Sequence, residues 1–183
     1  MVERPWVDHT QGALHNTGNP LDLALSGRGF FAVNGPNGPL YTRNGNFHLT
    51  SDGTLVTGDG HAVRSQQGTP LTIAGRLPVE VSSDGTITQN GNAIGKLDVV
   101  DFTSTTGLSK QGANYFRLAD PAQKPVPAPS TTVEQGSLET SNTGSAEAAI
   151  RLVSVMRQFE MLQRAVSIGG DMNKKAVEEV AKV

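Results

Sequence analysis

The segment Ser145 to Ile168, SAEAAIRLVSVMRQFEMLQRAVSI, constrains the fold more than any other part of the chain. Apolar residues recur at Ala148, Leu152, Val155, Phe159, Leu162 and Val166. Steps of about three and four residues draw one stripe along a helix, close to the period of a coiled-coil seam. Ile150, Val153, Met156 and Met161 are expected to widen the stripe, with Arg151, Ser154, Arg157, Gln158 and Gln163 facing water. Ser145 fits an N-cap, and Glu147 falls in the first turn, where the helix dipole favours a carboxylate. Glu160 precedes Arg164 by one turn, the better order for such a pair. A stripe of this kind has to be covered. Apart from the short tail after Gly169-Gly170, nothing else in the sequence reads as a comparable helix. Either the stripe packs on the chain's own β-domain, or its partner lies on another segment or another subunit.

The composition of the whole 183-residue chain points to short strands and tight turns: 21 glycines and only 17% charged residues. That length makes one or two domains with a real core. A formal net charge of −2 gives no reason to expect a polyanion or membrane-surface partner. With no cysteine, zinc–thiolate sites, disulfides and thiol nucleophiles are ruled out. MVERPWVDHT carries no apolar run, so no secretory signal peptide is expected. No stretch reaches the roughly 20 apolar residues of a membrane span, so no membrane insertion is expected either.

Taken in order, residues 1–19 read as a polar arm or linker ending in HNTGNP. Leu21, Leu23 and Leu25 alternate with Asp22, Ala24 and Ser26 as a half-buried strand. Gly27-Arg28-Gly29 breaks it, Phe30 to Val33 follows, and the turns Gly35 to Pro39 and Asn44-Gly45-Asn46 set off the next strands. A weak repeat then emerges. Ser51-Asp52-Gly53-Thr54-Leu55-Val56 and Ser83-Asp84-Gly85-Thr86-Ile87-Thr88 each begin with an Asp-Gly turn and run through a glycine turn into a short strand. Lys96 to Phe102 reads as the clearest central strand, and Tyr115 to Leu118 as the last one. Prolines at 121, 125, 127 and 129 make an extended connector. A second echo brackets the β-region: Gln11-Gly12-Ala13-Leu14 with Asn16-Thr17-Gly18 before it, Gln135-Gly136-Ser137-Leu138 with Asn142-Thr143-Gly144 after it. Entry and exit should therefore lie side by side. The expected fold is mainly β with a C-terminal α-helix: a compact antiparallel β-domain of short strands and hairpins plus a long coiled-coil-like helix. The expected division is 1–19 arm, 20–118 β-rich domain, 119–144 connector and return arm, 145–183 helical segment. The 20–118 domain is expected to fold without residues 131–183. A kink or frayed joint is expected at Gly169-Gly170.

No catalytic, cofactor or metal site is expected. His9, His15, His48 and His61 are scattered without metal-ligand spacing. Asp52, Asp59 and Asp84 adjoin turn glycines and lack the alternating ligands and closing glutamate of a calcium loop. Gly27-Arg28-Gly29 lacks the third glycine and following helix of a dinucleotide site, and no nucleophile elbow or Walker loop occurs. Aromatics, 5% of residues, are too few for a nucleic-acid stacking surface.

The motifs themselves carry a resemblance. Asn16 to Val33, NTGNPLDLALSGRGFFAV, followed by Tyr41 to Val63, YTRNGNFHLTSDGTLVTGDGHAV, closely resembles the shared signature of bacterial flagellar rod and hook proteins. Val133 to Val166, VEQGSLETSNTGSAEAAIRLVSVMRQFEMLQRAV, resembles their carboxyl-terminal domain. The resemblance implies a non-enzymatic structural subunit of the basal-body rod, with an inner layer of terminal helices and a β-rich outer domain. It implies export by the flagellar type III apparatus, a rod spanning the periplasm, torque transmission through packed interfaces, and other rod and hook subunits as partners. Arg157-Gln158-Phe159-Glu160, where the distal rod protein has a Gln-Arg-Ala-Tyr-Glu run, leans towards the proximal, F-type subunit. Distal rod or hook subunits are the alternative within the family. The family's amino-terminal helix with its Ala-Asn motif has no counterpart in the sequence and is an expected partner. Ala148-Ala149-Ile150 also departs from the family's residues at that step. The residues expected to matter are the seam, Ala148, Leu152, Val155, Phe159, Leu162 and Val166, for helix packing. The turns Gly18, Asn19, Pro20, Gly27, Gly29, Asn44 and Gly45 are expected to shape the β-domain. Two rivals of other classes are weaker: a glycan- or peptidoglycan-binding β-module needs clustered exposed aromatics, whereas the one tryptophan, Trp6, lies in the arm. A wall hydrolase needs a carboxylate pair in a cleft.

Overall fold

The computed structural model describes residues 8–74, 77–112, 114–119, 123–142 and 145–180. Trp6 and the rest of residues 1–7 lie outside them, as does Pro121. The described chain forms two units, one ending at Asn142 and one made by the carboxyl-terminal helix.

The first unit is built from short antiparallel strands. In chain order they are β1 (Leu14–Asn16), β2 (Leu23–Ser26), β3 (Phe30–Gly35), β4 (Gly38–Thr42), β5 (Phe47–Leu49), β6 (Leu55–Thr57), β7 (Ala62–Val63) and β8 (Val79–Val81). There follow β9 (Thr86–Gln89), β10 (Asn92–Lys96), β11 (Val99–Asp101), β12 (Leu108–Gln111), β13 (Tyr115–Leu118), β14 (Val126–Pro127), β15 (Thr132–Gln135) and β16 (Ser137–Glu139). The largest sheet runs β12-β13-β4-β3-β7-β6-β5, with β11 joined to β3 and β14 to β11. A three-stranded sheet, β10-β9-β8, and two pairs, β1-β16 and β2-β15, complete the unit.

Alternation drives the packing. Leu23, Leu25, Phe31, Val33, Leu55, Val63, Leu71, Ile73, Ile87, Leu97 and Val133 are buried in one core cluster. Phe30, Ala32, Tyr41, Val100 and Phe102 form a second, aromatic-rich cluster. Phe30 and Phe31 are neighbours on β3 and serve different clusters, because successive strand residues point to opposite faces. The stretch expected as one central strand, Lys96 to Phe102, is instead two: β10 ends at Lys96 and β11 begins at Val99. Leu97 between them bridges Ser65 and buries its side chain, which turns the chain from one sheet to the other.

The Asp-Gly repeat is a repeat of geometry. Gly53 and Gly85 both adopt left-handed φ, 82° and 83°. Their N–H groups donate to Thr50 O at 3.0 Å and Ser82 O at 2.8 Å. A side chain at Gly53 would collide with the Ile73 carbonyl, so the position needs glycine for space as well as for φ.

The bracketing echo is also structural. β1 and β16 pair antiparallel with Leu14 opposite Glu139, His15 opposite Leu138 and Asn16 opposite Ser137, so entry and exit are side by side. Beyond residue 118, β15 pairs with β2 over four residues, from Thr132–Ser26 to Gln135–Leu23, and places Val133 in the core. β14, inside the proline-rich stretch, pairs with β11 at Val100–Pro127 and Asp101–Val126.

The second unit is one α-helix, α1 (Ser145–Val180). It runs unbroken through Gly169-Gly170, where a kink or frayed joint was expected.

Candidate assembly site

The residues expected to matter fall in two sets: the turns of the β unit and the seam on α1. The structure draws the turns together around two polar side chains, Asp22 and Arg43.

The first is Asp22, only 4% exposed. Its carboxylate accepts from Thr17 Oγ1 at 2.7 Å, Asn19 Nδ2 at 3.0 Å and Asn46 Nδ2 at 3.0 Å. A buried carboxylate has to be satisfied in this way. The Asn-Thr-Gly-Asn-Pro turn thereby locks to the Asn44-Gly45-Asn46 turn. Gly136 O accepts from the N–H of Thr17 at 2.8 Å and of Gly18 at 3.1 Å, tying the same turn to the return strand. Pro20 O accepts from Gln135 Nε2 at 2.8 Å. The rest of that amide stands in for a strand residue along β8: its nitrogen donates to Val79 O at 2.8 Å and its oxygen accepts from Val81 N at 3.0 Å.

The second is Arg43. Its guanidinium donates to Leu25 O at 3.1 Å, Gly27 O at 3.0 Å and Gly29 O at 2.8 Å, so one cation holds the Gly27-Arg28-Gly29 break by three carbonyls. Nε meets Glu139 Oε2 at 2.6 Å, with side chains 17% and 9% exposed. Glu139 Oε1 accepts from Gly12 N at 2.8 Å. The ion pair therefore fastens arm, return strand and β unit at one point. Asn44 Oδ1 accepts from Asn46 N at 3.1 Å, and Gly45 packs so close to the Leu23 carbonyl that a Cβ would overlap it. All seven turn residues contribute to this junction or its borders. A signal for Arg43 existed: it is the one charged residue between Arg28 and Asp52. Its partner Glu139 lies too far along the chain for any local pattern to reveal.

A cleft of about 390 Å³ opens at the junction, lined by His9, Phe30, Arg43, Asn114, Phe116 and Glu139 among others. Two of its charged groups, Arg43 and Glu139, are paired with each other, and Asp8 at its edge accepts from Thr10 N. Tyr115 Oη lies 2.7 Å from Asp59 Oδ2 and 2.9 Å from Thr57 Oγ1, with the His61 ring edge-on at 5.2 Å. Burial raises the Tyr115 pKa, so the phenol stays protonated and serves as a packed hydrogen-bonding strut. Among the described residues no group of three or more His, Cys, Asp or Glu is placed to hold a metal. Among them, too, no helix is long and apolar enough to cross a membrane.

The seam is on α1. Leu152, Val155, Phe159, Leu162 and Val166 are 60–75% exposed. The side chain of Ala148 lies outside the described residues. One expectation needs correcting. Ile150, Val153 and Met161 do not widen the seam; each stands two positions from a seam residue, which is about half a turn round the helix. With Ile168 and Met172 they make a second apolar stripe on the far side, also exposed, with Arg157 in its middle. Only Met156 flanks the first stripe. The helix thus shows two apolar faces, separated by polar strips that carry Arg151 and Gln158 on one side and Glu160 on the other.

Comparison with known proteins covers both units. Residues 24–89 match the family model described as "Flagellar hook protein FlgE/F/G D1 domain". Residues 134–179 match "Flagellar basal body rod FlgEFG protein C-terminal". The chain is 33% identical over 175 residues to flagellar basal-body rod protein FlgF of Caulobacter vibrioides, covering 95% of this chain and 71% of that protein. It is 31% identical over 184 residues to the rod protein FlgG of Bacillus subtilis, covering 92% and 69%. With FlgF of Rhizobium meliloti the figures are 32% over 168 residues, 91% and 70%.

Proposed function

The chain belongs to the flagellar basal-body rod and hook family, and we propose that α1 is the element through which it polymerises. Membership makes it a structural subunit of the rod in the flagellar basal body, assembling with other rod and hook subunits, and not an enzyme. The observation that carries the proposal is the exposed seam. Burying a large apolar side chain contributes roughly 1.5–3 kcal/mol, so five seam residues supply on the order of 10 kcal/mol before ordering entropy is charged. Left in water, the same stripe is a contiguous apolar patch of a kind that soluble monomers rarely keep.

In this reading the seam packs against an amino-terminal helix of the kind the family carries, and the second stripe packs against a neighbouring subunit. A helix with apolar residues on two opposed faces suits a position between two others. Torque passes between the helical layer and the β unit along the chain that joins β16 to α1. The subunit reaches a rod that spans the periplasm by the flagellar type III apparatus. The F-type identity rests on the Arg157 to Glu160 step and remains the preferred assignment, beside relatives of both F and G type.

Phe159→Asp tests the proposal. The substitution puts a charge in the middle of the seam and leaves the β unit untouched. Expected outcomes are loss of incorporation into purified basal bodies and loss of swimming, with the melting of the β unit unchanged. Gln158→Ala, on a polar strip, should incorporate normally. Normal swimming by cells carrying Phe159→Asp would sink the proposal.

A further inference from the structure

We propose that His9 makes docking of the arm, residues 8–16, pH-sensitive: the arm is held on the β unit while the imidazole is neutral and released when it is protonated. The inference goes beyond assembly and is independent of what α1 packs against.

The arm is anchored at its rear by the β1-β16 pairing and by Thr140, whose N–H and hydroxyl both donate to Ala13 O at 2.9 Å. Further forward, Gly12 N donates to Glu139, Gln11 Oε1 accepts from Gly27 N at 3.0 Å, and Asn142 Nδ2 donates to Thr10 O at 3.0 Å. The front is seated by His9. Its ring lies 5.2 Å from Phe116 and 5.9 Å from Phe30. Phe30 belongs to the aromatic-rich cluster and is itself 5.6 Å from Phe116 and 5.7 Å from Phe102. His9 therefore caps that cluster, and withdrawing the arm would bare it to water.

The seat disfavours an imidazolium. The ring is partly buried, and the Arg43 guanidinium faces it from the β4-β5 turn. Two carboxylates are near, and both are engaged. Asp8 on the arm accepts from Thr10 N at 2.9 Å, and Glu139 on β16 spends one oxygen on Arg43 and the other on Gly12. Arg28, in the β2-β3 turn, lines the other side of the arm and pairs loosely with Asp101 at 3.9 Å. From β3 and β13 the contacts are the phenyl rings. Attraction of a cation to those rings and to Asp8 works in the opposite direction. Burial outweighs it, with Arg43 adding to the effect, and the His9 pKa is lowered from 6.5.

The sign follows from linkage. Above 6.5 the imidazole is neutral whether the arm is docked or free, and docking is at full strength. As pH falls through 6.5 the free arm takes up the proton first, and docking weakens until pH passes the docked pKa. The total loss in the docking constant equals ten raised to the pKa lowering.

The test uses the full chain and nuclear magnetic resonance. His9 is titrated between pH 8 and 4.5. Over the same range, hydrogen exchange is followed at the Gly12 and Gly27 amides, whose donors are satisfied by docked-arm contacts, with correction for intrinsic exchange. His9 should titrate below 6.5. Protection at Gly12 and Gly27 should fall on acidification by up to the factor that the titration gives, while β3 and β4 amides stay protected. His9→Phe keeps an aromatic cap without a proton and should hold both amides protected at all pH values; His15→Phe should behave as the parent. A His9 pKa at or above 6.5, or unchanged protection across its titration, or the same pH dependence in His9→Phe, overturns the proposal.

Discussion

The β unit and α1 leave opposite accounts of their apolar residues. In the β unit, Leu25 and Val33 are wholly buried, and even the ionised Arg43 and Glu139 find partners within it. On α1, every described residue from Ala149 to Gly170 is exposed, Leu152, Phe159 and Leu162 included. The contrast comes from period. Short period-2 strands joined by glycine turns can fold back and pair with each other. A lone helix has no second surface to close on, and stability in such a helix comes mostly from packing a face. One region encodes its own fold; the other encodes a demand for a partner.

The most drastic way to break the comparison is to cut the chain. If the β unit is self-sufficient, residues 8–142 should melt cooperatively at the temperature shown by the same unit in the full chain. A chain cut at 118 should not, because it loses β15 with the buried Val133, the β16 half of the β1-β16 pair, and Glu139 opposite Arg43. Near-UV circular dichroism and calorimetry check both. A large drop in the melting temperature on removing only residues 145–183 would mean that the seam is covered by the β unit after all.

A milder test sits at the junction. Arg43→Ala leaves Glu139 as a largely buried, unpaired carboxylate and strips three carbonyls of their donor. Removing one member of a buried pair costs about 3–5 kcal/mol, a fall in Tm of roughly 10 °C or more for a unit of this size. Glu139→Ala alone should also destabilise, and the double substitution should cost less than the sum of the two. Strict additivity would show that the pair is not the fastening point.

The limits of sequence legibility follow the same division. The seam could be read because its period is local. Asp52-Gly53 and Asp84-Gly85 could be read because the turn needs those residue types, and their φ values differ by only a degree, 82° against 83°. The Gln-Gly-x-Leu echo announced that entry and exit meet, as the β1-β16 register shows. Arg43 with Glu139, Asp22 with Asn46, and Gln135 with Val79 and Val81 could not be read, because each joins residues far apart in sequence. On the helix, counting apolar residues merged two stripes that spacing separates: Val153 and Val155 are two residues apart and stand on opposite sides. The continuity of α1 through Gly169-Gly170 shows helical neighbours on both sides overriding a weak local propensity.

The smallest effect separates the two copies of the repeat within the β unit. The Asp84 carboxylate accepts from Lys96 Nζ at 2.9 Å, from Thr86 N at 3.1 Å and from Thr86 Oγ1 at 2.9 Å. These bonds, the lysine's first, hold its pKa down to about 2 from the ordinary 3.8. Asp52 is also lowered, chiefly by the Thr50 hydroxyl, and has no lysine among its causes. A carboxylate with a lowered pKa contributes stability that is present above its ordinary pKa and is lost as pH falls towards the folded value. For Asp84 the window is pH 3.8 down to about 2. Both carboxylates are exposed, so solvent screening keeps the effect small. Urea melts at low salt across that window should show a shallower acid slope for Asp84→Asn than for the parent, and a smaller change for Asp52→Asn. High salt should shrink the Asp84 effect, because the lysine contribution is an exposed ion pair. Equal slopes for the two variants would show that Lys96 adds nothing and that the two turns are energetically as well as geometrically alike.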